Sequence, residues 1–165
     1  MMSKLNFIVS IELDDSGLPP PTPEIEQERR LAIFDLIEEN TFALAESIKK
    51  GGTTDGPYNL ILAVKGFRLV FSIRNAKTGK KVLDLLLSLS PFNRIIKEYS
   101  DICASYFDAV KRLPASKIEA IDMARRAIHD QGGDVVLERF EGKIITDKAT
   151  ARRLFTLICV LQYRF

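Results

Sequence analysis

The sequence has few of the residues, and none of the short motifs, that are typical of catalytic or metal-binding sites. Its 165 residues include two cysteines and a single histidine. Two cysteines are too few for the disulfide framework of a small secreted protein, and both lie among apolar residues, which favours reduced core thiols. A glycine-rich phosphate loop, metal-ligand spacing and a nucleophile elbow are all missing. We therefore expect no metal and no cofactor, and composition identifies no activity.

Long apolar runs are also missing. No segment approaches the ~20 apolar residues of a membrane span. The run Phe7–Ile11 is interrupted by Ser10 and followed by acidic residues, unlike a signal peptide. We expect a cytoplasmic protein without a membrane partner. The formal net charge of +2 argues neither for nor against a nucleic-acid partner. Length and a hydrophobic content of 46% predict a single domain over residues 1–165.

The stretch between residues 58 and 89 predicts three adjacent strands, because apolar residues alternate along it with a period of two. A turn at Lys65-Gly66 would close the first hairpin. That turn pairs Val64 with Phe67 and sets the register of the remaining pairs. The inward positions of the three strands would be Leu60, Leu62 and Val64; Phe67, Leu69, Phe71 and Ile73; and Leu83, Leu85, Leu87 and Leu89.

A fourth strand is predicted near the N-terminus, where an apolar set alternates with a mixed one. Its two sets of positions are Phe7, Val9, Ile11 and Leu13, and Asn6, Ile8, Ser10 and Glu12. Residues 49–56 are rich in Gly, Thr and Asp, which is typical of a surface loop. Together these elements predict an α+β fold with two layers. An antiparallel sheet of about four strands, in the order β-α-β-β-β-α-α-α, would be packed by helices on one face.

Four helices are predicted from capping signals and a period of 3.6 residues. The first follows Thr22-Pro23 and the second follows Ser90-Pro91. The third would begin at a capping box formed by Ser116 and Glu119 and would stop at Gly132, before a short helix or turn over 135–140. Ile144 and Ile145 suggest a brief strand, and Asp147 would cap the last helix.

The second helix has a wide apolar stripe and three expected ion pairs. The stripe, which runs from Phe92 to Leu113, predicts packing against the core. The pairs on the opposite face follow the i,i+4 spacing: Arg94 with Glu98, Lys97 with Asp101, and Asp108 with Arg112.

The last helix is apolar on nearly every side from Leu154 to Leu161. A segment of that kind is buried either in the core or against a second copy of the chain, and a strand is an alternative for it. The pattern leaves these possibilities open and suggests a homo-oligomer.

The third helix places a cation at the border of its apolar face. Arg125 falls between apolar positions, with Asp122 one turn before it and His129 one turn after it. An unpaired buried guanidinium is too costly, so Arg125 must have a partner. One interpretation is an anion pocket or a proton-transfer site. The other is a structural Arg–Asp pair, with His129 as a cation at the helix end.

Adjacent arginines occur three times, at 29–30, 125–126 and 152–153. If they converge, they would form a binding site for phosphate or nucleic acid. Strand aromatics typical of RNA-recognition domains do not accompany them, and ordinary ion pairing is the alternative. The candidate anion or polar site therefore comprises Arg29, Asp122, Arg125, Arg126, His129 and Arg152.

Five segments of the chain resemble one protein family. They are TPEIEQERRLAIFDLIEEN, GPYNLIL, LSLSPFNRIIKEYSDICASYFDAV, IEAIDMARRAIHDQGG and TARRLFTLICVL. The sequence resembles a family of uncharacterised alphaproteobacterial proteins from about Ile11 to Tyr163. The resemblance implies a bacterial cytoplasmic protein, and it implies no activity, cofactor or catalytic residue.

Three function hypotheses follow. The leading one is a non-enzymatic protein-interaction or regulatory protein that self-associates through its last helix. The second is a binder of RNA or of a phosphorylated small molecule through the paired arginines. The third is an enzyme, a hydrolase or isomerase, that uses Asp122 and His129.

Overall fold

The computed structural model describes residues 5–49 and 54–162, so residues 50–53 of the predicted loop lie outside the described residues. The described chain forms six strands and four α-helices in the order β1 (Ile8–Asp14), α1 (Pro23–Glu38), β2 (Ala43–Leu44), β3 (Tyr58–Lys65), β4 (Arg68–Asn75), β5 (Lys81–Ser88), α2 (Ser90–Arg112), α3 (Ala115–Phe140), β6 (Ile144–Ile145) and α4 (Lys148–Gln162). This order confirms the predicted α+β class and its arrangement of main elements.

The four long strands form one sheet in the order β1-β3-β4-β5. The two hairpins are antiparallel, as predicted, whereas β1 pairs in parallel with β3. A parallel neighbour requires a crossover, and the segment containing α1 provides it. The side chain of Asn40, just after α1, fixes this crossover because it bonds both the backbone nitrogen of Ile8, at 2.7 Å, and its carbonyl oxygen, at 3.0 Å.

The first hairpin has the predicted faces but a different register. Lys65 pairs with Arg68, and Val64 pairs with Leu69 rather than with Phe67. The loop is therefore Gly66-Phe67, with Gly66 at φ +64°, and Phe67 is 89% exposed. A loop at Lys65-Gly66 would have favoured a positive φ at Lys65, which a non-glycine residue rarely adopts. The shift is two residues, so the predicted inward side chains other than Phe67 still face the core.

The predicted alternation along β1 is wrong in its first half. The register shifts between Ile8 and Ser10, so Val9 is an extra residue in the strand and is partly exposed. Ile8 and Ile11 are buried instead. A bulge of this kind reverses which residues face inward on one side of it.

One hydrophobic cluster joins the sheet to the helices. Phe71 of β4 contacts Phe140 of α3 edge to face, with ring centroids 5.6 Å apart. The other face of the sheet is mixed, with Ala63 buried and Leu86 about half exposed. The helices thus pack mainly on one face, as predicted. No helix within the described ranges is both long and apolar enough to cross a membrane.

Helix α3 does not stop at Gly132 but continues to Phe140. A Cβ atom added at Gly132 would lie 2.3 Å from the ring of Phe155 in α4. The glycine therefore serves close packing of two helices rather than helix termination. The predicted capping box is also wrong, because Pro114 is the N-cap residue and no side chain caps this helix.

Helix α4 is the centre of the helical layer. Asp147 caps it as predicted, accepting a 2.7 Å hydrogen bond from the backbone nitrogen of Thr150. The residues buried along it within a single chain include Leu154, Phe155, Leu157, Ile158, Cys159, Val160 and Leu161. The apolar stretch is therefore a helix in the core rather than a strand or an exposed interface. The homo-oligomer prediction was based on exposure of this apolar helix, and the helix is buried within one chain.

The close contact between α3 and α4 yields a stability prediction. Replacing an interior helical glycine with alanine ordinarily stabilises a helix by about 1 kcal/mol. Gly132→Ala should instead destabilise the fold by about 1–3 kcal/mol, because the methyl group overlaps the Phe155 ring. Urea unfolding of this variant and of the exposed neighbour Gln131→Ala provides the comparison. A Gly132→Ala protein as stable as the wild type would refute the packing role of this glycine.

Candidate functional site

The structure brings three of the predicted site residues together on α3. Asp122 Oδ1 accepts hydrogen bonds from Arg125 Nε at 2.9 Å and Nη2 at 2.7 Å. Its Oδ2 accepts bonds from Arg126 Nε at 2.9 Å and Nη2 at 2.6 Å. The guanidiniums of Arg125 and Arg126 lower the pKa of Asp122. Each carboxylate oxygen is thus occupied by one arginine, which favours an ionised structural group over a proton acceptor.

Arg125 also contacts the aromatic side chains of α2. Its guanidinium carbon lies 5.5 Å from the centroid of the Tyr106 ring, a distance that allows a cation–π interaction. These contacts explain how the charged side chain of Arg125 is accommodated at the edge of the apolar face of α3. Arg125 joins α3 to α2 and has a carboxylate partner, as the structural interpretation requires.

His129 lies between the helices, away from the Asp122 carboxylate. Its ring stacks on Tyr99 of α2, with centroids 5.3 Å apart, and its Nε2 lies 3.0 Å from the backbone oxygen of Arg152 and 2.7 Å from the Thr156 hydroxyl. Burial lowers its pKa, and the nearby Arg125 and Arg152 act in the same direction. Within the described chain no hydrogen bond joins His129 to Asp122, so the pair proposed for the enzyme hypothesis is not assembled.

The remaining arginines of the predicted site also have acidic partners. Arg152 Nη1 lies 2.9 Å from Asp130 Oδ1. Arg29 lies near β1, where its Nη1 is 2.9 Å from Asp15 Oδ2, and its side chain is nearly buried. The three arginine pairs therefore do not form one patch of free guanidiniums. Among the described residues, no group of three or more His, Cys, Asp or Glu side chains is placed to hold a metal ion.

A groove that the sequence did not predict lies between α1 and α2. We call it the α1–α2 groove. It has a volume of about 680 Å³, and α4 forms its floor. Most of its lining is apolar or aromatic. The residues that line it are Glu24, Gln27, Glu28, Leu31, Ala32, Asp35, Tyr99, Ser100, Cys103, Ala104, Tyr106, Phe107, Arg125, Thr156 and Val160.

Two side chains on opposite walls of the groove are apolar and well exposed. Leu31 on α1 is 61% exposed, and Phe107 on α2 is 56% exposed. The stripe of α2 that was predicted to pack in the core is buried at four positions and exposed at three. Buried are Phe92, Ile95, Tyr99 and Ala109, and exposed are Phe107, Val110 and Leu113. Leu31 could have indicated this surface from the sequence, because it is an apolar residue that lies outside the buried face of α1.

A smaller cavity of about 490 Å³ extends the groove along α1. It shares Ala32, Asp35 and Thr156 with the groove and is also lined by His129. The histidine thus lies beside the surface that the sequence missed.

The environment of His129 predicts a pH dependence of stability. Its pKa is lower in the folded chain than the ordinary 6.5, so below pH 6.5 the unfolded chain binds the proton more readily. The stability that the buried neutral ring contributes to the fold is fully present above pH 6.5. It is lost as the pH falls through the lowered pKa of the folded state.

We compare the free energies of unfolding of the wild type and His129→Phe, measured with urea between about pH 8 and pH 5. As the pH falls, the wild type should lose stability relative to the variant. Because His129 is the only histidine, no second imidazole complicates the comparison. A difference that stays constant over this range would contradict the buried, neutral state of the ring.

The comparisons with known proteins agree with the resemblance seen in the sequence. A family model described as "Uncharacterised protein family (UPF0262)" matches residues 5–164. A UPF0262 protein of Roseobacter denitrificans is 57% identical over 160 residues, covering 96% of this chain and 99% of the relative. One from Paracoccus denitrificans is 55% identical over 162 residues, covering 98% of each chain. No solved structure matches. The chain belongs to the UPF0262 family.

Proposed function

We propose that this chain is a non-enzymatic protein-interaction protein of the cytoplasm that binds an α-helix of a partner protein in the α1–α2 groove. The observation that carries the proposal is the groove itself, about 680 Å³ of mainly apolar surface between two helices. Leu31 and Phe107 are exposed on its opposite walls. Both cysteines are thiols rather than a disulfide, which suits a reducing compartment.

The shape of the groove favours a helix as the occupant. Its α1 wall extends from Glu24 to Asp35, which at 1.5 Å per residue is about 17 Å, or three helical turns. A partner helix with apolar residues at i, i+3, i+4 and i+7 presents them over about 10 Å, which fits within this length. The partner would cover Leu31 and Phe107, which are each more than half exposed in the single chain.

The contacts of the arginines make the second hypothesis less favourable. A phosphate or RNA backbone that binds Arg125, Arg126 or Arg152 would have to compete with a carboxylate already bonded to each. These arginines therefore stabilise the fold rather than bind a ligand. A second copy of the chain is the competing occupant of the α1–α2 groove, and experiment distinguishes the two.

A selection experiment tests the groove even though its natural partner is unidentified. A displayed library of about 14-residue helices with randomised surface positions is selected against the full chain. We expect the selected peptides to share an apolar i, i+3, i+4, i+7 face. Leu31→Asp and Phe107→Asp should each weaken their binding at least tenfold, a loss of about 1.4 kcal/mol. Phe67→Asp, at an apolar and even more exposed site on the distant hairpin, should leave binding unchanged.

Two results would overturn the proposal. The first is the absence of any helical peptide whose binding depends on Leu31 or Phe107. The second is a dimer, seen by light scattering at micromolar concentration, that Leu31→Asp converts to a monomer. That outcome would assign the groove to a second copy of this chain, whereas a monomer supports a different partner.

A further inference from the structure

We infer that the helix bound by the α1–α2 groove is cationic, with lysine or arginine side chains along the edge that faces α1. The inference rests on the proposed function and adds the chemistry of the partner. It follows from the charges that line the groove, which differ sharply between its two walls.

The acidic residues of α1 form one line along the groove. Glu24, Glu28 and Asp35 are spaced at i, i+4 and i+11, and at 100° per residue they fall within an arc of about 40°. Leu31, at i+7, lies close to the same line. An apolar anchor is therefore flanked by carboxylates on both sides along the helix axis, and the same partner helix would contact both.

These carboxylates have no partners within the described chain. No hydrogen bond or ion pair in residues 5–49 or 54–162 involves the side chain of Glu24, Glu28 or Asp35. By contrast, Asp122 and Asp130 are each bonded to arginine. The fold thus satisfies the acids elsewhere on the helices and leaves the acids of the groove without cations.

Glu28 is the most informative of the three. It is half-buried on the groove wall, and burial raises the pKa of its carboxyl group. A partly desolvated carboxylate without a cation is unfavourable, and an ammonium or guanidinium group of a partner would compensate it. Further burial by an uncharged or acidic partner would increase the cost.

The opposite wall does not offset this negative charge. Arg125 is the basic residue in the lining, and Asp122 already binds its guanidinium. The whole chain has a formal net charge of +2, so the acidic line is a local feature and not a consequence of composition. The charge of the groove disfavours a fatty acid or a nucleic acid and favours a basic amphipathic helix.

Matched synthetic helices test this inference. Three peptides share one leucine face at i, i+3, i+4 and i+7 and carry lysine, glutamine or glutamate at the flanking positions, with helicity equalised by a hydrocarbon staple. We expect the lysine peptide to bind the full chain at least tenfold more tightly than the glutamate peptide at low salt. The ratio should shrink as salt is raised, because the flanking pairs are partly exposed.

Charge-neutral variants locate the effect. Glu28→Gln combined with Asp35→Asn should reduce the lysine-to-glutamate ratio several-fold, while the glutamine peptide binds at least as tightly as before. Glu119→Gln, which removes an exposed carboxylate from α3 outside the groove lining, serves as the control and should leave the ratio unchanged. Circular dichroism melts of each variant verify that the fold is retained.

The outcomes separate the two proposals. Equal binding of all three peptides, abolished by Leu31→Asp, would overturn the cationic preference and leave the helix-binding groove intact. Preference for the glutamate peptide would overturn it as well. If none of the peptides binds, the proposed function itself fails.

Discussion

The burial of α4 is the constraint on which the rest of the structure depends. From Leu154 to Leu161 nearly every side chain of this helix is removed from water within one chain. A helix that is apolar on all sides must be surrounded, and here α1, α2, α3 and the sheet contribute to one cluster with it. The glycine at 132 allows α3 to approach the Phe155 ring. The positions of the outer helices are therefore set by one inner helix.

The same arrangement creates the groove. Helices α1 and α2 lie on either side of α4, and Thr156 and Val160 of α4 form the floor between them. The aromatic contacts of Tyr99 with His129, at 5.3 Å, and with Phe155, at 5.6 Å, join α2, α3 and α4 at the base of the α2 wall. The wall that would receive a partner is thus held by packed rings, which reduces the conformational cost of binding.

Charge is divided between scaffold and surface. The arginines that the sequence placed near apolar faces are paired with Asp15, Asp122 and Asp130. The pairs with Asp15 and Asp130 join different elements, whereas the pair with Asp122 lies within α3. The acids of the groove lack such partners within the described chain. A surface that combines exposed apolar side chains with unpaired charge of one sign is suited to a partner of the opposite sign.

Periodicity together with capping signals was sufficient to predict the main elements. The period of two in β3, β4 and β5 and the wide apolar stripe of α2 identified the correct segments, and all three i,i+4 ion pairs on α2 are present. The family resemblance was also correct. These features depend on residues close in the chain, whose side chains repeat with the geometry of one element.

The errors concern turn geometry and contacts between distant residues. The backbone at Gly66 decided the hairpin register, and Gly132 was interpreted as a stop because its neighbour Phe155 is distant in sequence. The groove was missed for the same reason, since no local pattern shows that α1 and α2 would stand apart over α4.

Amide NMR mapping of the full chain with the lysine-flanked helix tests the central claim most directly, because it reports where a ligand contacts the protein. We predict that chemical-shift changes concentrate on residues 24–35 of α1 and 99–107 of α2, with the hairpin of β4 and β5 unaffected. Changes centred on Arg126 and Arg152, or spread over the sheet, would contradict a helix-binding site in the α1–α2 groove.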